Sequence, residues 1–436
     1  MDILFKIGQF VLIISILVVL HEFGHYLPAK LFKTKIEKFF LFFDVKFALF
    51  SKKIGETTWG IGWLPLGGYV KIAGMIDESM DREQMAKPAE PWEFRSKPAW
   101  QRLIIMCGGV IVNFLLAWVI YTCLLINNGD SYIPTQKLAN GIEVDTVGEA
   151  IGFKTGDRIL KVDDREIKKM NQAMMEILLG DEVIVERDGE KVKVVITDEN
   201  KKMLFSSGQT QFISPRLLAQ IGFVKEGSIA DELNLEIGDK VISTNGKQTP
   251  YWKDWADEII ESRGDTIRMQ INRSGNILSK SAFLPLEGRL GVAPEYKELF
   301  VTDEYNFLNA IPAGFGKTIE ALSGQVRQFK VVFNTKTEAY KEVGGPVKIV
   351  QMMPTEWNSS FFWNFLAMFS VWLAFVNILP IPALDGGHVM FLLYEIISGK
   401  KPSQRVLEIG QIVGFVLVMG LMLVVFGNDI WNLFKG

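Results

Sequence analysis

His21-Glu22-Phe23-Gly24-His25 closes an N-terminal stretch, Ile7–Leu20, that contains no Asp, Glu, Lys or Arg. With the motif appended, the stretch reaches the length a helix needs to cross a bilayer, about 20 residues. On a helix, His21 and His25 stand one turn apart on one face, about 6 Å along the axis, which suits two ligands of one tetrahedral zinc. Glu22, beside the first histidine, is placed to take a proton from a water at such a metal rather than to bind it. The same spacing also arises where two histidines and a glutamate merely satisfy one another. Three ionisable groups in an apolar span are expensive, however, and that cost argues for a metal.

Three further stretches lack Asp, Glu, Lys and Arg: Leu103–Gly129, Trp357–Leu384 and Ile409–Asn428. With 48% hydrophobic and 22% charged residues, the chain is too apolar for an ordinary soluble protein and too charged for an all-membrane one. Four spans with a large extramembrane part follow. The first is not read as a cleaved signal, since it runs straight into the histidine motif with no small-residue cleavage site. A net charge of -3 gives nucleic-acid binding no support. Basic residues crowd the loop after the first span (Lys30, Lys33, Lys35, Lys46, Lys52 and Lys53 among them), and Lys400, Lys401 and Arg405 fill the loop between the last two. Both loops are therefore expected in the cytoplasm, with the long segment around 130–355 on the opposite side. Cys107 and Cys123 share the second span, roughly 24 Å apart on a helix and out of disulfide reach.

Between the second and third spans the sequence repeats itself. Gly156-Asp157-Arg158-Ile159-Leu160-Lys161-Val162 aligns with Gly238-Asp239-Lys240-Val241-Ile242-Ser243-Thr244. Each copy is followed by a helix-compatible stretch, Asn171–Leu179 or Trp252–Ser262. A Gly-Asp pair then opens a strand that turns at Asp188-Gly189 or Ser274-Gly275 into another. This order resembles a tandem of PDZ domains, expected over 139–205 and 213–290. Such domains can take peptide ends or strands as ligands by sheet addition, or serve as a steric filter. Nearer the N-terminus, Trp59–Met75 reads as β structure and the charged stretch Asp77–Glu93 as a loop. Ile311–Tyr340 is helix-compatible but weakened by Gly314, Gly316 and Gly324.

A catalytic zinc needs a third protein ligand and an open position. Asp385 and His388, in Asn377-Ile378-Leu379-Pro380-Ile381-Pro382-Ala383-Leu384-Asp385-Gly386-Gly387-His388, both qualify. Two prolines in three residues break a helix at membrane depth, which is tolerable only inside protein or along a wet cavity.

Taken together, the histidine motif of the first span and Asn377-x-x-Pro380-x-Pro382-x-Leu384-Asp385-Gly386 of the third resemble the site-2 protease family, in its bacterial RseP-like branch. The resemblance covers essentially the whole chain. It implies His21, His25 and Asp385 as ligands of one Zn2+ per chain, Glu22 as general base, and no metal role for His388. It further implies that Asn377, Pro380 and Pro382 bind substrate, and that Gly67, Gly68 and Tyr69 lie in a membrane-associated β region to which substrate adds as a strand. Two departures stand out. Phe42-Phe43-Asp44 replaces the family's Gly-Phe-Gly turn, and Gly108-Gly109 replaces its Gly-Pro before Asn113.

The expected fold is an α-helical membrane protein with four transmembrane helices, a membrane-associated β region and two inserted PDZ-like α/β domains. Its segments are the first helix at 1–30, the cytoplasmic loop with the β region at 31–97, and the second helix at 98–128. A helical linker at 300–356, a third transmembrane segment at 357–398 and a fourth helix at 403–430 follow the repeats. The implied activity is zinc-dependent endopeptidase action on transmembrane segments of single-span proteins, such as anti-sigma factors or signal-peptide remnants. It would lie in the lipid bilayer of the bacterial inner membrane, with the active site toward the cytoplasm and the PDZ-like domains periplasmic or extracellular. The rival readings are a non-catalytic membrane scaffold built on the PDZ tandem and a metal transporter. Neither has a use for a proton acceptor that sits beside the ligands without binding metal.

Overall fold

A computed structural model describes residues 2–65, 67–75, 88–207 and 211–435. The charged stretch expected as a loop from Asp77 lies outside the described residues as far as position 87, and 88–93 is coil and turn. The chain forms two compact units. The first comprises Met1–Gly129, Glu304–Lys330 and Val343–Gly436; the second comprises Asp130–Asp303 and Val331–Glu342.

The first unit begins with helix α1 (Asp2–Leu31), which buries Gln9, Ile13, Leu17, His21 and His25 along one stripe. That i, i+4 spacing carries the two histidines into the same packed face as the apolar residues before them. A sheet follows: β1 (Ile36–Leu41), β2 (Phe43–Ile54), β3 (Thr57–Leu64) and β4 (Tyr69–Ile72), in the order β2-β3-β1-β4. β1 runs parallel to β3 and antiparallel to β4. The sheet thus begins well before the Trp59 read from the sequence. β2 exposes Val45, Phe47, Leu49 and Phe50 between lysines, a pattern that shows no one-sided burial period. Phe42, where the family has a glycine turn, adopts φ 67°, a conformation that costs a bulky residue about 1–3 kcal/mol.

Helix α2 (Ala99–Asn128) packs directly on α1. A Cβ on Gly24 would lie 2.4 Å from the Gly108 carbonyl oxygen, and one on Gly108 would lie 2.0 Å from that of Gly24. Small residues at this crossing let the two backbones touch. Helix α3 (Phe307–Val332) forms despite its glycines and Pro312, because tertiary contacts hold it. Gly314 lies against Thr122, and the Trp118 indole donates to the Ile311 carbonyl at 2.8 Å. Then come α4 (Pro346–Met352), α5 (Ser359–Ile378), α6 (Asp385–Ser398) and α7 (Gln404–Lys435). Asp429 of α7 caps α4, accepting from the Gly345 and Val347 amides at 2.8 and 2.9 Å. Four helices, α1, α2, α5 and α7 as far as Trp431, are long and apolar enough to cross a membrane.

The second unit repeats one design. In the first module Arg158–Val162 lies between Arg165–Glu166 and Glu182–Arg187, with Glu190–Val195 outside and Met170–Leu179 as helix. The second has Lys240–Thr244 between Lys247–Gln248 and Thr266–Arg273, with Asn276–Phe283 outside and helix Trp252–Glu261. The hairpins turn at Asp188-Gly189 and Ser274-Gly275 with positive φ at all four residues, as a tight two-residue connection requires. These β-rich insertions are PDZ-like. Ile213–Pro215, read from the sequence as the start of the second module, pairs instead with Ile142–Val144 of the first. Phe212 and Ile213 lie in the first module's core. The corresponding pair in the second module is Ile221–Val224 with Val292–Pro294.

The repeated Gly-Asp pair has a structural task. Asp157 accepts two hydrogen bonds of 2.7 Å from Arg187, and Asp239 accepts two of 2.7 Å from Arg273. Both aspartates are 1% exposed. Each thereby ties the head of one strand to the end of the next but one, and stranding such a carboxylate costs on the order of 3 kcal/mol. Arg273→Leu should therefore speed amide hydrogen exchange in Thr266–Arg273 by about 100-fold while leaving Glu182–Arg187 unchanged. Burial pushes the Asp239 carboxyl up, but the hydrogen bonds from Arg273 and the Glu236 amide, together with the charge of Arg273, outweigh it and hold it below the usual range. The stabilisation is present at neutral pH and is lost as the pH falls from the ordinary carboxylate range through the lowered value. In the Arg273→Leu protein that acid dependence should be weaker.

Candidate metal centre

α1 presents His21 and His25 one turn apart, and α6 begins at Asp385. The Nε2 atoms of the histidines are 3.4 Å apart, and Asp385 Oδ2 is 3.2 Å from each. Among the described residues this is the only group of three His, Cys, Asp or Glu donors drawn so close. Four ligands about 2.0 Å from a tetrahedral zinc are separated by about 3.3 Å. The triangle has the right edge for three of them. Three protein donors rather than four is the count of a catalytic site, not a structural one.

The hydrogen bonds support a cation. His25 Nδ1 lies 2.8 Å from the Ile105 carbonyl, which can only accept, so in the neutral ring Nδ1 carries the proton. Its Nε2 lone pair then faces Asp385 Oδ2, a buried oxygen with no hydrogen-bond partner. Two electron-rich atoms at 3.2 Å repel unless a positive ion lies between them. The donor set therefore fits zinc. Gly109 makes room for both rings, since a Cβ there would come within 2.5 Å of His21 Cε1 and His25 Nε2. The Gly108-Gly109 pair, a departure by sequence, is what this crossing requires.

Glu22 stands outside the triangle, with the Val70 backbone amide of β4 hydrogen-bonded to its carboxylate. Gly67 has φ 154°, and a Cβ on Gly68 would lie 2.5 Å from Val18 Cγ1. β4 thus runs along the α1 turn that carries the motif. Tyr69 turns its hydroxyl to Asp44 at 2.8 Å. Burial raises the Asp44 carboxyl, but the bonds from Tyr69 and Lys38 more than offset it.

The third transmembrane segment is interrupted: α5 ends at Ile378, and α6 starts at Asp385. Pro380 and Pro382 fall in the break, where Ala383 has φ 112°. Gly386, Gly387 and Gly414 let the bent segment pass; a Cβ on Gly414 would overlap the Pro382 carbonyl. Asn377, in the last turn of α5, places its amide nitrogen 3.2 Å from His21 Nε2. His388 does not join the triangle. It lines a cavity of about 110 Å³ with Arg102 and Glu395, which pair at 2.5 Å. Asn113, in α2, was not singled out as a site residue by sequence, yet its amide lies 3.1 Å from His21 Nδ1. A lone amide in the middle of an apolar span is the signal that points to it.

Curated relatives match over nearly their full length. A protein of Neisseria meningitidis named "Putative zinc metalloprotease" is 30% identical, covering 97% of this chain and 98% of its own. The "Regulator of sigma E protease" of Haemophilus influenzae is 26% identical over 99% of this chain and all of its own. The "Protease RseP" of Yersinia pestis is 26% identical over 98% and 99%. The family model described as peptidase family M50 matches residues 9–421, from within α1 to within α7. The chain belongs to peptidase family M50 and is a zinc metalloprotease.

Proposed function

We propose that this metalloprotease is an intramembrane endopeptidase that cuts single-span membrane proteins within or beside their transmembrane segments, anti-sigma factors or signal-peptide remnants being the fitting class. The observation that carries the reading is the meeting of His21 and His25, on a helix of spanning length, with Asp385, which follows the proline-broken end of another, beside a strand, β4, that pairs only with β1 among the described residues. We assign His21, His25 and Asp385 as zinc ligands. When bound, zinc supplies Lewis-acid polarisation of the scissile carbonyl and activation of the attacking water. Glu22 accepts that water's proton on its carboxylate and delivers it to the leaving amine nitrogen. The Val70 amide holds the carboxylate in place for this transfer.

A helical substrate shields its carbonyls in hydrogen bonds, so it must unwind before attack, and the freed groups need partners. Among the described residues β4 pairs only with β1. Its outer edge, which begins at Tyr69 directly after Gly67 and Gly68, is suited to strand addition by the unwound segment. Asn377 supplies an amide to the same backbone, and Pro380 and Pro382 keep the chain before Asp385 from closing into helix. The two PDZ-like domains either capture peptide or restrict the size of what approaches. The basic loops support a reading in which residues 31–97 and the active site face the cytoplasm at a bacterial inner membrane, with the PDZ-like domains outside. A scaffold or transporter would not require Glu22.

Purified protein should carry about one zinc per chain by elemental analysis. His21→Ala, His25→Ala or Asp385→Ala should lose it, and His388→Ala should keep it. Loss of zinc in His388→Ala with retention in Asp385→Ala would reverse the ligand assignment.

Glu22→Gln preserves shape but removes the basic oxygen. It should retain zinc and still engage a model transmembrane peptide, while cleaving it on the order of 10²–10⁴ times more slowly. Undiminished cleavage by the zinc-loaded variant is incompatible with the mechanism.

Membrane-impermeant thiol labelling should reach Ser207→Cys from outside intact cells and Ser96→Cys only after the inner membrane is opened. The opposite pattern inverts the topology.

A further inference from the structure

Asn113 has no exposed surface. Its amide nitrogen faces His21 Nδ1 at 3.1 Å, and its side-chain oxygen has no hydrogen-bond partner. Its backbone carbonyl accepts a 2.7 Å hydrogen bond from Ser370 of α5, which is fully buried as well. Ser370 lies two turns before Asn377 on the same face of α5. Asn377 in turn approaches His21 Nε2 at 3.2 Å. The His21 ring is therefore flanked by an amide at each nitrogen, and the helix that carries Asn377 also hydrogen-bonds the backbone of Asn113.

His21 has two needs. With zinc on Nε2, the ring proton sits on Nδ1, and Nδ1 requires an acceptor. Without zinc, the neutral ring can point an Nε2 proton at Asp385 Oδ2, 3.2 Å away, and Nδ1 then requires a donor. A primary amide meets both needs, since a half-turn about its last bond exchanges donor for acceptor. The orientation in the structure, with nitrogen toward Nδ1, matches the zinc-free need. The half-turn brings the unpartnered oxygen onto Nδ1–H and matches the other. His25 differs because its Nδ1 meets the Ile105 backbone carbonyl, which only accepts and cannot turn. Of the two rings, only that of His21 depends on a side chain for its tautomer.

We propose that Asn113 is the positioning residue of His21: its side-chain carbonyl accepts the Nδ1 proton and commits the ring to binding zinc through Nε2. The inference rests on His21 being a zinc ligand. Zinc dissociation constants of full-length protein in detergent, measured by chelator competition, test it with Asn113→Asp, Asn113→Leu and His21→Ala, thermal unfolding of the zinc-free forms serving as the control for folding. Aspartate keeps the acceptor and should bind zinc as tightly as asparagine or more so. Leucine matches the volume without an acceptor and should bind about 10–100 times more weakly. Wild-type affinity in Asn113→Leu, or a loss in Asn113→Asp as large as that of leucine, overturns the proposal. If the leucine variant does not fold, the aspartate variant decides alone: retained affinity supports the role, and a tenfold loss overturns it. Zinc binding that survives in His21→Ala instead overturns the ligand assignment beneath it.

Discussion

Two imidazole nitrogens and a carboxylate oxygen held 3.2–3.4 Å apart among apolar helices set the terms for the rest of the membrane unit. Without a metal ion or a ring proton between its atoms such a cluster is repulsive, so the fold must hold it by packing rather than draw stability from it. The α1–α2 crossing supplies that hold. Gly24 and Gly108 bring the backbones into contact, and Gly109 lets α2 pass over the rings. The rings are then fixed at their far nitrogens by groups on α2, the Ile105 carbonyl and the Asn113 amide. Metal affinity and helix packing are in this way the same problem, solved by residues with little or no side chain.

The third donor of the cluster imposes a second constraint. An aspartate in a continuous helix would project at the angle that helix dictates. Here the break at 379–384 sets a new helix start, and Asp385 enters from the first turn of α6. The freed backbone groups are partly re-used locally, Leu384 donating to Ile381 at 2.9 Å and Gly387 to Leu384 at 3.0 Å. Gly386, Gly387 and Gly414 make the space in which the bent chain fits. The same break leaves Asn377 at a helix end beside the site, where its amide is not buried among side chains.

The inserted modules obey different rules, those of water-facing β structure. Each has its own apolar core, and each closes its hairpin on a buried aspartate–arginine pair. That pair explains why the Gly-Asp repeat is visible in the sequence at all. Glycine takes φ 98° at 156 and 96° at 238, and the aspartate after it is buried and matched to an arginine about 30 residues later.

By itself the sequence determined the four spans, the i, i+4 histidines with Glu22 beside them, the proline break and the repeat, because each is a local pattern of hydropathy, spacing or turn chemistry. It did not choose between Asp385 and His388. Both sit in the same short segment, and which one meets α1 depends on where the helix restarts after the break. Nor did it place β1, where adjacent Phe39 and Phe40 are both buried, or β2, which exposes Val45, Phe47, Leu49 and Phe50; neither shows the alternation that marks half-buried β structure. The assignment of Ile213–Pro215 to the first module and the folding of α3 despite its glycines rest on partners up to 200 residues away. Asn113 was legible only as an amide in an apolar run; its contact with His21 spans 92 positions. Local chemistry is written along the chain, whereas the three-donor cluster, the sheet edge and the amide beside His21 exist only where distant segments meet.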